Sequence, residues 1–321
     1  MSKRINGPSG DEVGEKLTLP VPETLYATYA VVLTAPIPDP GELAYDEVAA
    51  RTRPPLRDLV LGMLGSPMVT LDQRPAGEFP PLPADLLAAY GASPAELAAL
   101  DTASHILAVR AAYRPGHPPA HEWAARTVAG AVAAARSAPV IDVFTPQILA
   151  HDHLTRSLPE PDGAVRLTDW MLLPHTSGPH GFWFATKGLA RFGLLELQTE
   201  NVPPALVVPW GRLLNGLARR VLDLWQERLP AGEQPLVVDL PETVSVGLQD
   251  IAAAQGTDEP LRREVAVRLR LDTPGEPGAP AEPDTPGEAG EPVLTVLPAG
   301  DGPDRLESLC AVLFGAQDGR R

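Results

Sequence analysis

Basic residues are in short supply. The chain has 26 Lys and Arg against 41 Asp and Glu, a formal net charge of −15. Such a surface repels phosphate backbones and anionic lipid unless a basic patch intervenes. The doublets Arg219-Arg220, Arg262-Arg263 and Arg320-Arg321 have few basic neighbours. Nucleic acid and membrane are therefore not expected partners. Cysteine is almost missing as well. Cys310 stands alone, so no internal disulfide can form, and its place in the apolar run Leu306 to Phe314 reads as a small buried hydrophobe. No run of eighteen apolar residues occurs, which excludes a conventional spanning helix. The polar start, Met1 to Lys16, lacks the apolar core of a signal peptide. A bacterial-type cytoplasmic location is the expectation.

Catalytic signatures are also wanting. There is no H-E-x-x-H or C-x-x-C for zinc, and no G-x-S-x-G elbow for a serine nucleophile. Neither G-x-x-x-x-G-K-[ST] nor G-x-G-x-x-G occurs, so no phosphate loop or dinucleotide fingerprint is present. Ser104-His105 and Thr176-Ser177-Gly178 lack the strand–helix turn that a triad serine needs. No cofactor is called for.

What remains is a chain of 321 residues, 44% apolar, long enough to bury a sizeable core. Its 38 prolines and 28 glycines are unevenly spread, as in a folded body with open segments. Residues 1–20 read as a flexible arm, 21–100 as an N-terminal α/β portion and 101–230 as a central α+β domain. Residues 231–321 read as C-terminal strands and a helix. A strand over Tyr26–Leu33 is stopped by Pro36, Pro38 and Pro40. A helix over Leu56–Leu64, a strand over Pro67–Leu71 and helices over Ala84–Tyr90 and Pro94–Leu100 follow, the last capped by Ser93.

The clearest unit runs from Ser104 to Val143. A strand over Ser104–Arg110 precedes a helix over Ala120–Arg136, in which Ala124, Val128, Ala131 and Ala135 form the buried stripe. Glu122, Arg126 and Arg136 are left to face water. His117 and His121 at its start are expected as neutral, solvent-facing rings. Val140–Phe144 supplies the next strand, completing a layered strand–helix–strand unit. Strands are then predicted over Val165–Leu173, Phe182–Thr186 and Leu194–Gln198. A long helix over Leu206–Leu229 carries the stripe Trp210, Leu213, Leu214, Leu217, Val221, Leu224 and Trp225. Strands over Pro235–Leu240, Glu264–Leu271 and Pro292–Leu297 and a helix over Leu306–Phe314 close the chain. Asp272–Glu291 has five prolines, four glycines, six acidic residues and no basic one, and reads as a disordered acidic loop. The pattern predicts an α+β fold of layered strand–helix units with mixed or antiparallel sheets, and it admits a ferredoxin-like order.

Aromatics make up only 5% of the chain, yet four fall within the sixteen residues Phe182–Leu197. That segment is expected where the fold is most constrained. In Thr186-Lys187-Gly188-Leu189-Ala190-Arg191-Phe192-Gly193, the glycines suit positive φ or close backbone approach. Leu189 and Phe192 are expected to plug the core, with Glu196 pairing Arg191. The alternative is a ligand spot made by Lys187, Arg191 and Glu196. A second candidate is a zinc site drawn from His151, His153, His175 and His180, whose donors would have to converge on one ion.

Thr186-x-Gly188-Leu189-x-x-Phe192-Gly193-x-x-Glu196-Leu197 resembles the signature of an uncharacterised bacterial domain-of-unknown-function family, in which a threonine-x-glycine-leucine stretch runs into phenylalanine-glycine-x-proline-glutamate-leucine. Leu195 stands where that family has proline, which implies a less rigid corner. The resemblance spans about Ser104–Leu229. It implies a compact α+β fold of paired strand–helix units and supplies no catalytic residues. Three functional readings stand: a non-catalytic monomer binding an unknown protein or small ligand, a metal-dependent hydrolase using the histidines, and an immunity- or antitoxin-like protein whose acidic surface masks a basic partner.

Overall fold

The computed structural model describes residues 15–81, 83–159, 163, 165–229, 234–273, 291–299 and 305–315. Most of the acidic insert, 274–290, and residues 1–14 of the expected arm lie outside that set. The fold is mixed α+β. Its first strand, β1 (Lys16–Pro20), falls inside the stretch expected as a flexible arm. Every residue of β1 has an antiparallel partner in 237–241, and Leu19 is buried. The polar look of the arm hid a single inward leucine.

Strand β2 (Leu25–Leu33) is followed by helix α1 (Pro40–Arg51), which sequence reading did not assign. Pro36, Pro38 and Pro40 end the strand, but Asp39 and Pro40 also start a helix. The Glu42 amide donates to the Asp39 carboxylate at 2.9 Å, and proline at the first helical position gives up only an amide that would have no partner there. Next come α2 (Leu56–Leu64), β3 (Val69–Pro75), α3 (Ala84–Ala89) and α4 (Pro94–Asp101). Ser93 and Glu96 form a capping box at the start of α4. Strand β4 (His105–Tyr113), helix α5 (Ala120–Arg136), the short strands β5 (Val140–Asp142) and β6 (Gln147–Leu149), and helix α6 (His151–Arg156) complete this half.

These strands make one sheet of order β3-β4-β2-β5-β6, antiparallel at every junction. It draws strands from both sides of residue 100. Alternation along β2 sorts the two faces. Ala27, Tyr29, Val31 and Leu33 pack with α1, α2 and α5, while Ala30 and Val32 share a smaller core with Leu87 of α3.

The second half contains β7 (His175–Gly178), β8 (Gly181–Ala185), β9 (Leu197–Val202), α7 (Val207–Glu227), β10 (Val237–Pro241), β11 (Thr243–Gly247), α8 (Leu248–Gln255), β12 (Glu264–Asp272), β13 (Val293–Pro298) and α9 (Arg305–Phe314). Its six-stranded sheet has order β11-β12-β13-β9-β8-β7, with one parallel junction, β13 against β9. All seven stripe residues of α7 are buried in the core shared with this sheet, α8 and α9. The strand predicted over Val165–Leu173 does not form. Leu167–Asp169 is a single 3-10 turn, and Leu172 makes one bridge to Lys187. Val165, Leu167, Trp170 and Met171 are apolar because they are buried, without the alternation of a half-exposed strand.

Candidate functional site

Helix α5 is flanked by its sheet on one side and by α1, α2 and α6 on the other. Glu122 and Arg126 therefore do not reach water as expected, whereas Arg136 near the end of the helix is exposed. Glu122 is 0% exposed, Arg126 1% and His121 1%. His117, by contrast, is exposed.

The buried charges meet Arg191, which lies in a 3-10 turn, Leu189–Phe192, between β8 and β9. Its Nη1 donates to Glu122 Oε2 and to the Tyr29 hydroxyl, both at 3.1 Å. Its Nη2 donates to both Asp142 oxygens, at 2.9 and 3.1 Å. Arg126 closes the ring, donating to Tyr29 (3.0 Å), Asp142 Oδ2 (3.1 Å) and the Asp169 carbonyl (3.0 Å). The Tyr29 hydroxyl donates to Glu122 Oε2 at 2.7 Å. The Arg126 guanidinium lies 3.5 Å from the Trp170 ring centroid, a stacked cation–π contact. Two guanidiniums thus face two carboxylates in a dry interior.

Ionisation follows this geometry. Burial alone would push the Asp142 carboxyl up, but Arg191 and Arg126 outweigh it and hold the group below its ordinary range. Burial would strip Arg191 of its proton more readily, yet Asp142 and Glu122 raise its pKa instead. The Tyr29 hydroxyl is pushed well up by burial. His121 is pushed down by burial and stays neutral, and its Nε2 donates to the Arg191 carbonyl at 2.8 Å.

The pairing of Glu196 with Arg191 is overturned. Glu196 instead organises the corner itself, accepting from Thr186 Oγ1 (2.6 Å), the Gly188 amide (2.8 Å) and the Ala190 amide (3.2 Å). The Leu197 amide donates to Thr186 Oγ1 at 2.7 Å, so the threonine clamps both ends of the loop. Gly188 has φ +118°, and a Cβ there would lie 2.5 Å from the Trp170 carbonyl oxygen. Leu189 and Phe192 fill the core as expected, and the Trp225 indole of α7 donates to the Phe192 carbonyl at 3.1 Å. Lys187 is half-buried and its side chain has no hydrogen-bond partner among the described residues. The three members of the expected ligand spot therefore go separate ways: Arg191 is sealed in the charge cluster, Glu196 bonds its own loop, and Lys187 joins neither.

The histidine set is not brought together either. His151 and His153 ride on α6, His175 on β7 and His180 in the β7–β8 turn. His153 Nε2 donates to the Asp169 carbonyl at 3.2 Å, and Arg156 donates to its Nδ1. His175 stacks on Phe184 with ring centroids 5.1 Å apart. Among the described residues no group of three His, Cys, Asp or Glu side chains is placed to hold a metal ion. None of the helices among them is long and apolar enough to cross a membrane.

Beside the charge cluster, a cleft of about 240 Å³ opens between α5, α6 and the end of α1. Arg51, the Arg126 stem, Thr127, His151, Leu154 and Leu158 line it. Thr127 is 3% exposed and its hydroxyl has no hydrogen-bond partner among the described residues. Among the described residues no carboxylate lines the cleft.

Sequence reasoning missed Tyr29, Glu122, Arg126 and Asp142 as one unit. The available signal was Arg191 itself, a cation set between Ala190 and Phe192 in an apolar corner, which can be buried only with acidic partners. Compared with family models, curated proteins and solved structures, the chain matches none. The mixed α+β class and the site must be read from the residues alone.

Proposed function

We propose that the chain is a non-catalytic protein that binds a partner or small ligand. The observation that carries this reading is the dry charge cluster. Glu122 and Asp142 are buried carboxylates of the kind acid–base chemistry uses, but both are sealed from solvent and ion-paired to Arg126 or Arg191, which stay protonated. Other candidates are poorly armed. Burial pushes the Cys310 thiol up to about 11, far from a reactive thiolate. Ser104 Oγ lies 3.0 Å from His105 Nδ1, but no described carboxylate bonds that ring to orient it as a base.

The region 25–142 reads as ferredoxin-like. The antiparallel order β3-β4-β2-β5, with helices after β2 and β4, supports that reading. Kinship with the domain-of-unknown-function family rests on the corner motif, whose Thr186, Gly188 and Glu196 make the mutual contacts described above. A cytoplasmic location draws support from the lone, buried cysteine.

Assaying the purified chain against chromogenic acyl and phosphoryl esters, with and without zinc, tests the reading. The expected result is no turnover, together with saturable binding of a small ligand or retention of a protein from the native host. Turnover that follows the protein through purification would overturn it.

A further inference from the structure

Three properties of the cleft beside α5 bear on what it could hold. First, it departs from the character of the chain. The protein carries a net charge of −15, yet among the described residues two arginines and a histidine line this cleft and no Asp or Glu does. Second, its cations differ in kind. Arg126 is buried and its donors are committed to Tyr29, Asp169 and Asp142, so it contributes field and an apolar stem. Arg51 is about half exposed and bound to Glu47 only through Nε, which leaves its two Nη nitrogens for an incoming anion. His151 stands exposed at the same mouth.

Third, the Thr127 hydroxyl is buried without a partner among the described residues. An orphaned buried donor costs free energy, and it persists in native structures chiefly where a role or an occupant accounts for it. Threonine in a helix has two accessible χ1 rotamers, so a rotation can turn the enclosed hydroxyl towards an occupant of the cleft. Leu154 and Leu158 add an apolar wall. The volume, about 240 Å³, lies below that of drug-sized sites and suits a small metabolite.

We propose that this cleft binds a small organic carboxylate, its charged end between Arg51 and the Thr127 hydroxyl and its apolar body against Leu154 and Leu158. This rests on the binding role proposed above and gives it a location and a ligand class. Carboxylate is favoured over phosphate because a single hydroxyl and one partly engaged guanidinium offer few donors, whereas phosphate sites gather several charge-assisted ones.

The test uses the full chain, with benzoate as probe, benzamide as its neutral isostere and inorganic phosphate as the competing anion. Titration calorimetry and amide chemical-shift mapping should show saturable benzoate binding that perturbs α5 and α6. Benzamide should bind roughly tenfold or more weakly. Thr127→Val should weaken benzoate by a similar factor while folding at least as stably as the parent, because it removes an unpaired buried hydroxyl. Arg51→Ala provides a second variant, at a solvent-reachable position where folding is little affected. Equal affinity for benzoate and benzamide, unchanged benzoate affinity in both variants, or no saturable benzoate binding would overturn the carboxylate assignment. Phosphate binding more tightly than benzoate would overturn it too, while leaving the binding role intact. Ester turnover by the same preparation would instead strike the non-catalytic reading.

Discussion

Arg126 and Thr127 are consecutive on α5, and their polar groups meet different ends. Arg126 spends its donors on Tyr29, Asp142 and the Asp169 carbonyl and stacks on Trp170. Thr127, beside the cleft, keeps a hydroxyl with no partner. Among the described residues both regions hold unpartnered buried atoms, Glu122 Oε1, Arg191 Nε and His121 Nδ1 in the cluster and Thr127 Oγ1 beside it, but the cluster is multiply bonded and shut whereas Thr127 lies next to an opening. A buried charge cluster of the first kind is weak evidence for added stability, since apolar replacements of similar volume can do as well. Its geometry does something else. Glu122 and Asp142 belong to the first sheet's layer, Arg191 to the corner before β9, so the cluster fixes how the two halves meet. The second region contributes nothing to that junction.

The comparison breaks most sharply at Arg191. Arg191→Met strands Glu122 and Asp142 with one buried cation, and should cost about 3–5 kcal/mol in urea denaturation. Arg191→Lys should rescue little, because one ammonium cannot serve Glu122, Tyr29 and both Asp142 oxygens as a planar fork does. If Arg191→Met cost no more than Thr127→Val, the contrast between the two regions would be empty. Next in size is Gly188→Ala. The added Cβ would meet the Trp170 carbonyl at a φ that L-residues avoid, and a loss of about 2 kcal/mol or more is expected.

Much of this architecture was legible beforehand and much was not, for physical reasons. Helix α5 and the buried stripe of α7 could be read because a 3.6-residue period is a local property. Helix α1 is hard to read from sequence because Pro36, Pro38 and Pro40 break a strand, while Asp39-Pro40 is equally a helix start. Residues 165–173 were misread because a short apolar run records burial without saying what shape buries it. The charge cluster was illegible for a deeper reason. Arg191 lies 69 residues from Glu122 and 49 from Asp142, and a single sequence holds no sign of which distant acid a cation will meet. Glu196 was the nearer acid and the wrong one.

Glu196 tests the corner apart from the cluster. Glu196→Ala removes the acceptor for two amides and the Thr186 hydroxyl, and should cost about 1–2 kcal/mol, whereas Glu196→Gln keeps part of that set and should cost less. Acidity probes the shut region more gently. Burial holds His121 below its ordinary 6.5, so on acidification the unfolded chain takes up this proton before the folded one. Stability should therefore fall as pH drops below about 6.5, and His153, lowered by burial and by Arg126, adds to the same slope. Asp142 acts lower: its contribution is present above 3.8 and fades as pH falls through its depressed folded value. His121→Gln can still donate to the Arg191 carbonyl and should flatten the upper part of the slope, as read by denaturation midpoints at a series of pH values.

The smallest effect is expected at Lys187, and it sharpens the comparison because Lys187 lies only four residues from Arg191. Both are cations of one motif, and on sequence grounds they formed a single spot. Arg191 is sealed among its partners, while Lys187 is half-buried with its ammonium unpaired among the described residues. Lys187→Ala should therefore change stability by no more than about 0.5 kcal/mol. It should also leave benzoate affinity untouched, since Lys187 does not line the cleft. A loss comparable to that of Arg191→Met would mean that the corner, rather than the buried cluster, holds the halves in register. In that case Glu196→Ala should prove as damaging as Arg191→Met, a second result from the same denaturation series.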